Sequence, residues 1–171
     1  MGHTPDSWSL PFILYMNAYY KIVVLTVGFF VIGYLIWPMF FELSVSQAKT
    51  PGMIMNTRGN NDFYDGTLFW LSFGLIPLLH FAVNKSVKGK SLKQELITFF
   101  VIAFCGLLFW QARLLLTAFE AKRANLGVDP EIMFEYPINE LQPQLYFAIG
   151  IIVGTVLSWL TLRMVNIKMK K

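Results

Sequence analysis

Asn84-Lys85-Ser86-Val87-Lys88-Gly89-Lys90-Ser91-Leu92-Lys93 is the stretch that decides how this chain folds. Four lysines fall within nine residues, and a long apolar run lies on either side. A lysine cluster between two hydrophobic spans stays on the cytoplasmic side of a bilayer, because translocating its charge is costly. With this loop inside, the side of every other loop follows by counting spans.

The composition agrees with a bilayer setting. Only 14% of the 171 residues are charged and 56% are hydrophobic, with mean hydropathy +0.54. A soluble domain carries about a quarter charged residues. The apolar excess also comes in blocks rather than at a core period, which predicts an integral membrane protein. The length allows one bundle and no separate soluble domain. The formal net charge of +4 does not point to nucleic acid. Lys and Arg stand at membrane-flanking positions, and no basic helix or base-stacking aromatic pattern occurs. Cys105 is the sole cysteine, so no internal disulfide can form. It is expected to behave as a small buried hydrophobe.

Working outward from the lysines, the chain divides into four spans. The first apolar run, Leu10 to Leu43, exceeds a hydrocarbon core of roughly 30 Å at about 1.5 Å per residue. It is read as an interfacial lead-in, Ser7 to Tyr20, and a span over about 22–41. Trp8, Tyr15, Tyr19 and Tyr20 supply an inner aromatic belt, Lys21 snorkels to the head groups, and Pro38 bends the outer end. The run is too long for a signal-peptide core, and no Lys or Arg precedes it until Lys21. Ser44 to Gly66 is rich in turn formers, Pro51-Gly52 among them, and is expected to be an outer loop. Thr67 is placed to cap the second span, about 68–83, which contains Pro77.

Glu95 opens the third apolar segment, about 96–116, with Gln111 and Arg113 near the opposite interface. The helical pattern continues past the bilayer through Glu120, Lys122 and Arg123, stopping near Asn125 to Gly127. Asp129-Pro130-Glu131 resembles a helix start, predicting a short helical turn to Tyr136 inside the second outer loop, 117–142. The last span covers about 144–165.

The fold expected is therefore all-α, a single domain of four transmembrane helices with both termini cytoplasmic and a small extracytoplasmic cap. Charge supports that threading. Lys85, Lys88, Lys90, Lys93, Arg163, Lys168, Lys170 and Lys171 fall inside, with Lys21 at the edge. The outside receives Lys49, Arg58, Arg113, Lys122 and Arg123, and most of the carboxylates, from Glu42 to Glu140. Asn84-Lys85-Ser86 matches a glycosylation acceptor, but a cytoplasmic loop leaves it unused.

Motifs that carry chemistry are sparse. His80 has no second histidine near a span to share a haem, and neither a His pair nor a Cys pair is present for zinc or copper. It is read as a structural or interfacial histidine. Asn60-Asn61-Asp62-Phe63-Tyr64-Asp65-Gly66 has a flavour of a calcium loop, yet lacks the alternating ligand register and terminal Glu. A turn before the second span accounts for it. Glu131, Glu135 and Glu140 are placed to meet Arg113, Lys122 or Arg123 in surface pairs, or to face a partner. No nucleophile elbow, phosphate loop or metalloprotease signature occurs. No cofactor is expected.

Gly150, Gly154 and Ser158 recur at a spacing of four and put three small residues on one helix face. The partner helix is either internal or from another chain. The spans carry almost no ionisable groups at mid-membrane, which disfavours a pore made by one copy. The function expected is a non-catalytic accessory, scaffolding or assembly subunit of a larger membrane complex, in a bacterial inner membrane. Its partners are the lipid bilayer and other subunits or copies of itself, and Asp62, Asp65, Arg113, Glu131 and Glu135 are candidates for the partner-facing surface. The alternative is an oligomeric channel or small transporter; an enzyme acting on lipid or quinone at the outer interface comes third.

Overall fold

Helix follows helix through one antiparallel bundle in the computed structural model, which describes residues 18–56, 66–87, 92–124 and 134–168. The helices are α1 (Ala18–Ala48), α2 (Thr67–Val87), α3 (Leu92–Ala124) and α4 (Pro143–Lys168), and all four are long and apolar enough to cross a membrane. The lead-in segment before residue 18, Lys88, Lys90, Asp62, Asp65, the helix start at 129–131, Lys170 and Lys171 lie outside the described residues. At one end of the bundle Lys85 Nζ donates to Tyr19 OH at 2.9 Å, joining the end of α2 to the start of α1. At the other end Trp110 of α3 meets Ser44 of α1.

Two stretches differ from the sequence expectation. α1 continues to Ala48 instead of giving way to a loop at Ser44. The reason is a stripe of buried residues, Gly33, Trp37, Phe41, Ser44 and Ala48, at helical spacing. Ser44 is polar by type but sits on that stripe, so burial extends the helix past the point where hydropathy fades. Beyond the turn at Pro51-Gly52, where Gly52 takes a left-handed φ of 80°, Met53–Asn56 forms strand β1. The helical turn expected up to Tyr136 is instead, over the described part, strand β2 (Phe134–Pro137). It pairs parallel to β1 with Met53 opposite Phe134 and Asn56 opposite Pro137. Period-two burial stabilises the strands: Met53 and Tyr136 face inward while Ile54 and Glu135 are exposed. A parallel pair requires a long crossover, and here the whole α2–α3 hairpin supplies it.

Aromatic rings from all four helices fill the core near the β-strand end. Phe40 stacks on Phe69 at 4.3 Å between centroids and lies 4.7 Å from Trp110, and Phe69 lies 5.0 Å from Phe147. Trp37 closes the cluster against Phe69 at 5.4 Å. Glycines set how closely the helices approach. A Cβ on Gly150 would stand 2.4 Å from the Cys105 carbonyl oxygen, and one on Gly154 would stand 2.9 Å from Ile102 Cα. α4 thus lies directly on the backbone of α3. On the other side of the bundle, Gly33 faces Trp70 and Gly74 lies under the Phe30 ring. The outward faces of the helices, with Val31, Leu35 and Met39 of α1 and Phe100 and Phe104 of α3, are exposed and apolar. Lipid is the solvent such faces require.

Candidate functional site

The polar chemistry of the described residues concentrates where α3 emerges from the aromatic core. Arg113 lies 21 positions after Leu92 on α3, about 31 Å along the helix. Its side chain is only 14% exposed. Nη2 donates to the Glu140 carbonyl at 2.7 Å and to Tyr136 OH at 3.2 Å, and Nε reaches the Leu141 carbonyl at 3.4 Å. Nη1 approaches Glu120 at 3.7 Å, and the guanidinium covers the Tyr146 ring at 5.2 Å. A planar fork with several fixed donors suits this task, whereas a lysine offers a single point of charge. Arg113 therefore ties β2, the 3₁₀ turn Ile138–Glu140 and the start of α4 to α3.

The neighbouring backbone takes its shape from the same fastening. Gln142 adopts φ 41°, a left-handed conformation costly for a residue with a Cβ. Fully buried Leu141 precedes it, and Pro143, the first residue of α4, follows. The Gln142 carbonyl accepts from Leu145 N at 3.1 Å and Tyr146 N at 3.4 Å, beginning the helix. Burial pushes the Tyr136 phenol above its ordinary pKa; the Thr117 hydroxyl and the Arg113 guanidinium act the other way.

β1 joins this cap from the other side of the chain. Asn56 Nδ2 donates to Glu135 Oε2 at 3.1 Å, across the strand pair. Between β1 and the end of α1 lies a groove of about 790 Å³, open on one side. Trp37, Phe41 and Val45 line it from α1, with Glu42 and Lys49 interspersed along the same helix end, and Met53 and Met55 line it from β1.

The expected site residues thus divide. Arg113 and Glu135 both lie in the cap, but the Arg113 side chain points inward into carbonyls and a phenol. It meets the backbone of Glu140 rather than its carboxylate. Glu135 is exposed on β2. Asp62, Asp65 and Glu131 lie outside the described residues. Gly150 and Gly154 are covered by α3 of the same chain, and Ser158 is buried farther along α4. The partner of the glycine pair is therefore internal.

At the opposite end, His80 Nε2 bonds the Glu95 carbonyl at 2.8 Å, so this nitrogen carries the proton. Asn84 Nδ2 donates to the His80 carbonyl at 3.0 Å, and the Asn84 side chain is buried beside Thr98. Thr98 Oγ1 of α3 donates to Asn84 Oδ1 at 3.5 Å, so the side chain of the apparent glycosylation acceptor links α2 to α3. Among the described residues no three His, Cys, Asp or Glu side chains come together as a metal site.

Sequence reasoning missed Ser44, Trp110 and the Gly33 and Gly74 contacts. The four-and-three spacing from Gly33 to Ala48 carried the signal for Ser44. The Trp110 pairing needed the register of α3 against α1.

These elements define a multi-pass membrane protein, with four helices among the described residues long and apolar enough to span a bilayer. Comparison with protein-family models, with curated proteins and with solved structures finds no match.

Proposed function

We propose that this protein is a non-catalytic accessory, scaffolding or assembly subunit of a larger membrane complex in a bacterial inner membrane. In this reading both termini and the Lys85–Lys93 loop are cytoplasmic, and the β1–β2 cap faces the extracytoplasmic side. One observation carries the proposal: two distant loops are joined into a small cap, fastened by Arg113, above a bundle filled with aromatic rings. Ordering a loop costs about 1–2 kcal/mol per residue, so a fold that holds two loops in register favours presentation of a fixed surface. The cap carries exposed Ile54 and Glu135, and parallel pairs usually occur inside larger sheets. A strand from another subunit is a chemically suitable addition.

Purification in a gentle detergent at native expression, with mass spectrometry of what co-purifies, tests this. Stoichiometric partner subunits that disappear with Ile54→Lys are the expected result. A clean homo-oligomer that conducts ions or passes solute in proteoliposomes would overturn it in favour of the channel or small transporter.

A further inference from the structure

We propose that the cavity between α1, α2 and α3 beside His80 is a binding site for one primary arylalkylammonium ion, with Glu95 as its counter-ion. The inference starts from depth. Lys85 Nζ and Tyr19 OH mark one membrane interface. His80 precedes Lys85 by five positions on α2, about 7.5 Å farther into the bilayer. The His80 ring bonds the Glu95 carbonyl, so Glu95 of α3 sits at the same depth. The cavity there has a volume of about 300 Å³, at the lower end of the range for small-molecule sites, and is open on one side.

The two ends of the cavity differ in chemistry. Leu25, His80 and Glu95 lie nearer the interface, while Phe29, Pro77 and Phe99 line the deeper end, about one helical turn farther along each helix. Phe29 meets Phe99 edge to face at 6.1 Å, and Phe99 meets the His80 ring at 5.9 Å. A single aromatic ring continues that packing. Side chains lean toward the N-terminus of their helix, and α3 begins at this end, so the Glu95 carboxylate lies on the interface side. Glu95 is half-buried, and among the described residues the one ion pair, Arg113 with Glu120, does not involve it. An ionisable group at such depth calls for a partner. With its proton on Nε2, His80 keeps Nδ1 as an acceptor. A primary ammonium supplies N–H donors for both residues while its ring points inward, as an amphipathic cation orients in a bilayer. Glu95 repels an anion, a neutral ring leaves the carboxylate unmatched, and a quaternary ammonium brings no N–H. A metal ion lacks ligands, since no three His, Cys, Asp or Glu side chains meet among the described residues. This inference does not rest on the accessory role.

The test is equilibrium dialysis of the full chain in a non-ionic maltoside detergent, with protein-free micelles as the blank. The probes are phenethylamine, 2-phenylethanol, 3-phenylpropanoate and trimethylphenethylammonium. Phenethylamine is expected to saturate at one per chain and to bind about tenfold or more tightly than each of the other three. This probe series on the wild-type chain decides independently of any variant. Glu95→Gln is expected to weaken phenethylamine by about the same factor without altering thermal unfolding, because the backbone carbonyl that accepts from His80 remains. Glu42→Gln, exposed near the far end of α1, is expected to leave binding unchanged. Phenethylamine uptake that does not saturate, equals that of the alcohol or persists in Glu95→Gln overturns the proposal. An equal loss in Glu42→Gln overturns it too, since that would mark attraction to overall charge alone.

Discussion

Trp110 Nε1 donates to Ser44 Oγ at 2.9 Å, and Ser44 in turn donates to the Phe40 carbonyl at 2.6 Å. The first bond joins α3 to α1 inside the aromatic core, and Ser44 is fully buried. Ser44→Ala leaves the indole N–H without its acceptor. Interhelical bonds in membranes average about 0.6 kcal/mol, but an unsatisfied buried donor costs about 1–3 kcal/mol. The variant is expected to lose about 1–2 kcal/mol in reversible SDS unfolding. A double-mutant cycle with Trp110→Phe should give a coupling near the lower figure. Zero coupling would mean that the bond contributes nothing beyond packing.

Glycines separate close packing from mere abundance. A Cβ on Gly28 would meet nothing within 4 Å, whereas one on Gly150 would meet the α3 backbone at 2.4 Å. Gly28→Ala should be neutral or stabilise by up to about 1 kcal/mol through helix propensity. Gly150→Ala forces α3 and α4 apart, because backbone atoms cannot rotate away, and is expected to cost about 1–3 kcal/mol as overpacking does. Equal melting temperatures for the two variants would contradict the α3–α4 geometry.

How much of this was legible follows from the physics of each element. The four helices were readable because hydropathy in lipid is a composition signal and needs no partner. Their ends were less so: Ser44, Ser46 and Gln47 lower the hydropathy of α1, while the stripe from Gly33 to Ala48 keeps it helical. The strands were hidden for a different reason. Met53–Asn56 and Phe134–Pro137 are four residues each and lie about eighty positions apart, so no local period announces their pairing. Arg113 was visible as a charge at an interface. Its direction was not, since its acceptors are mainly backbone carbonyls that every sequence possesses.

Arg113 predicts a separation between cap and bundle. Arg113→Ala removes the donors to Glu140, Leu141 and Tyr136. The four helices retain their aromatic core, so helical content should hold while amide exchange over 134–142 rises at least tenfold. Arg113→Lys should fall between, because an ammonium cannot reproduce the fork. Unchanged exchange in Arg113→Ala would show that the strand pair alone holds the cap.

Tyr136 gives the cap a dependence on alkaline pH. Burial raises its phenol above the ordinary value of about 10. Below that value both folded and unfolded chains keep the proton, so stability does not respond to this group. Above it the unfolded chain releases the proton while the folded chain retains it. The folded state then binds more protons, and stability falls as pH rises. Unfolding of wild type and Tyr136→Phe, measured side by side from pH 8 to pH 11 in the same detergent, isolates the effect from other titrating groups. The difference between them should be constant up to about pH 10 and then shift in favour of the variant. A constant difference throughout would mean that the phenol ionises as readily in the folded cap as in the unfolded chain.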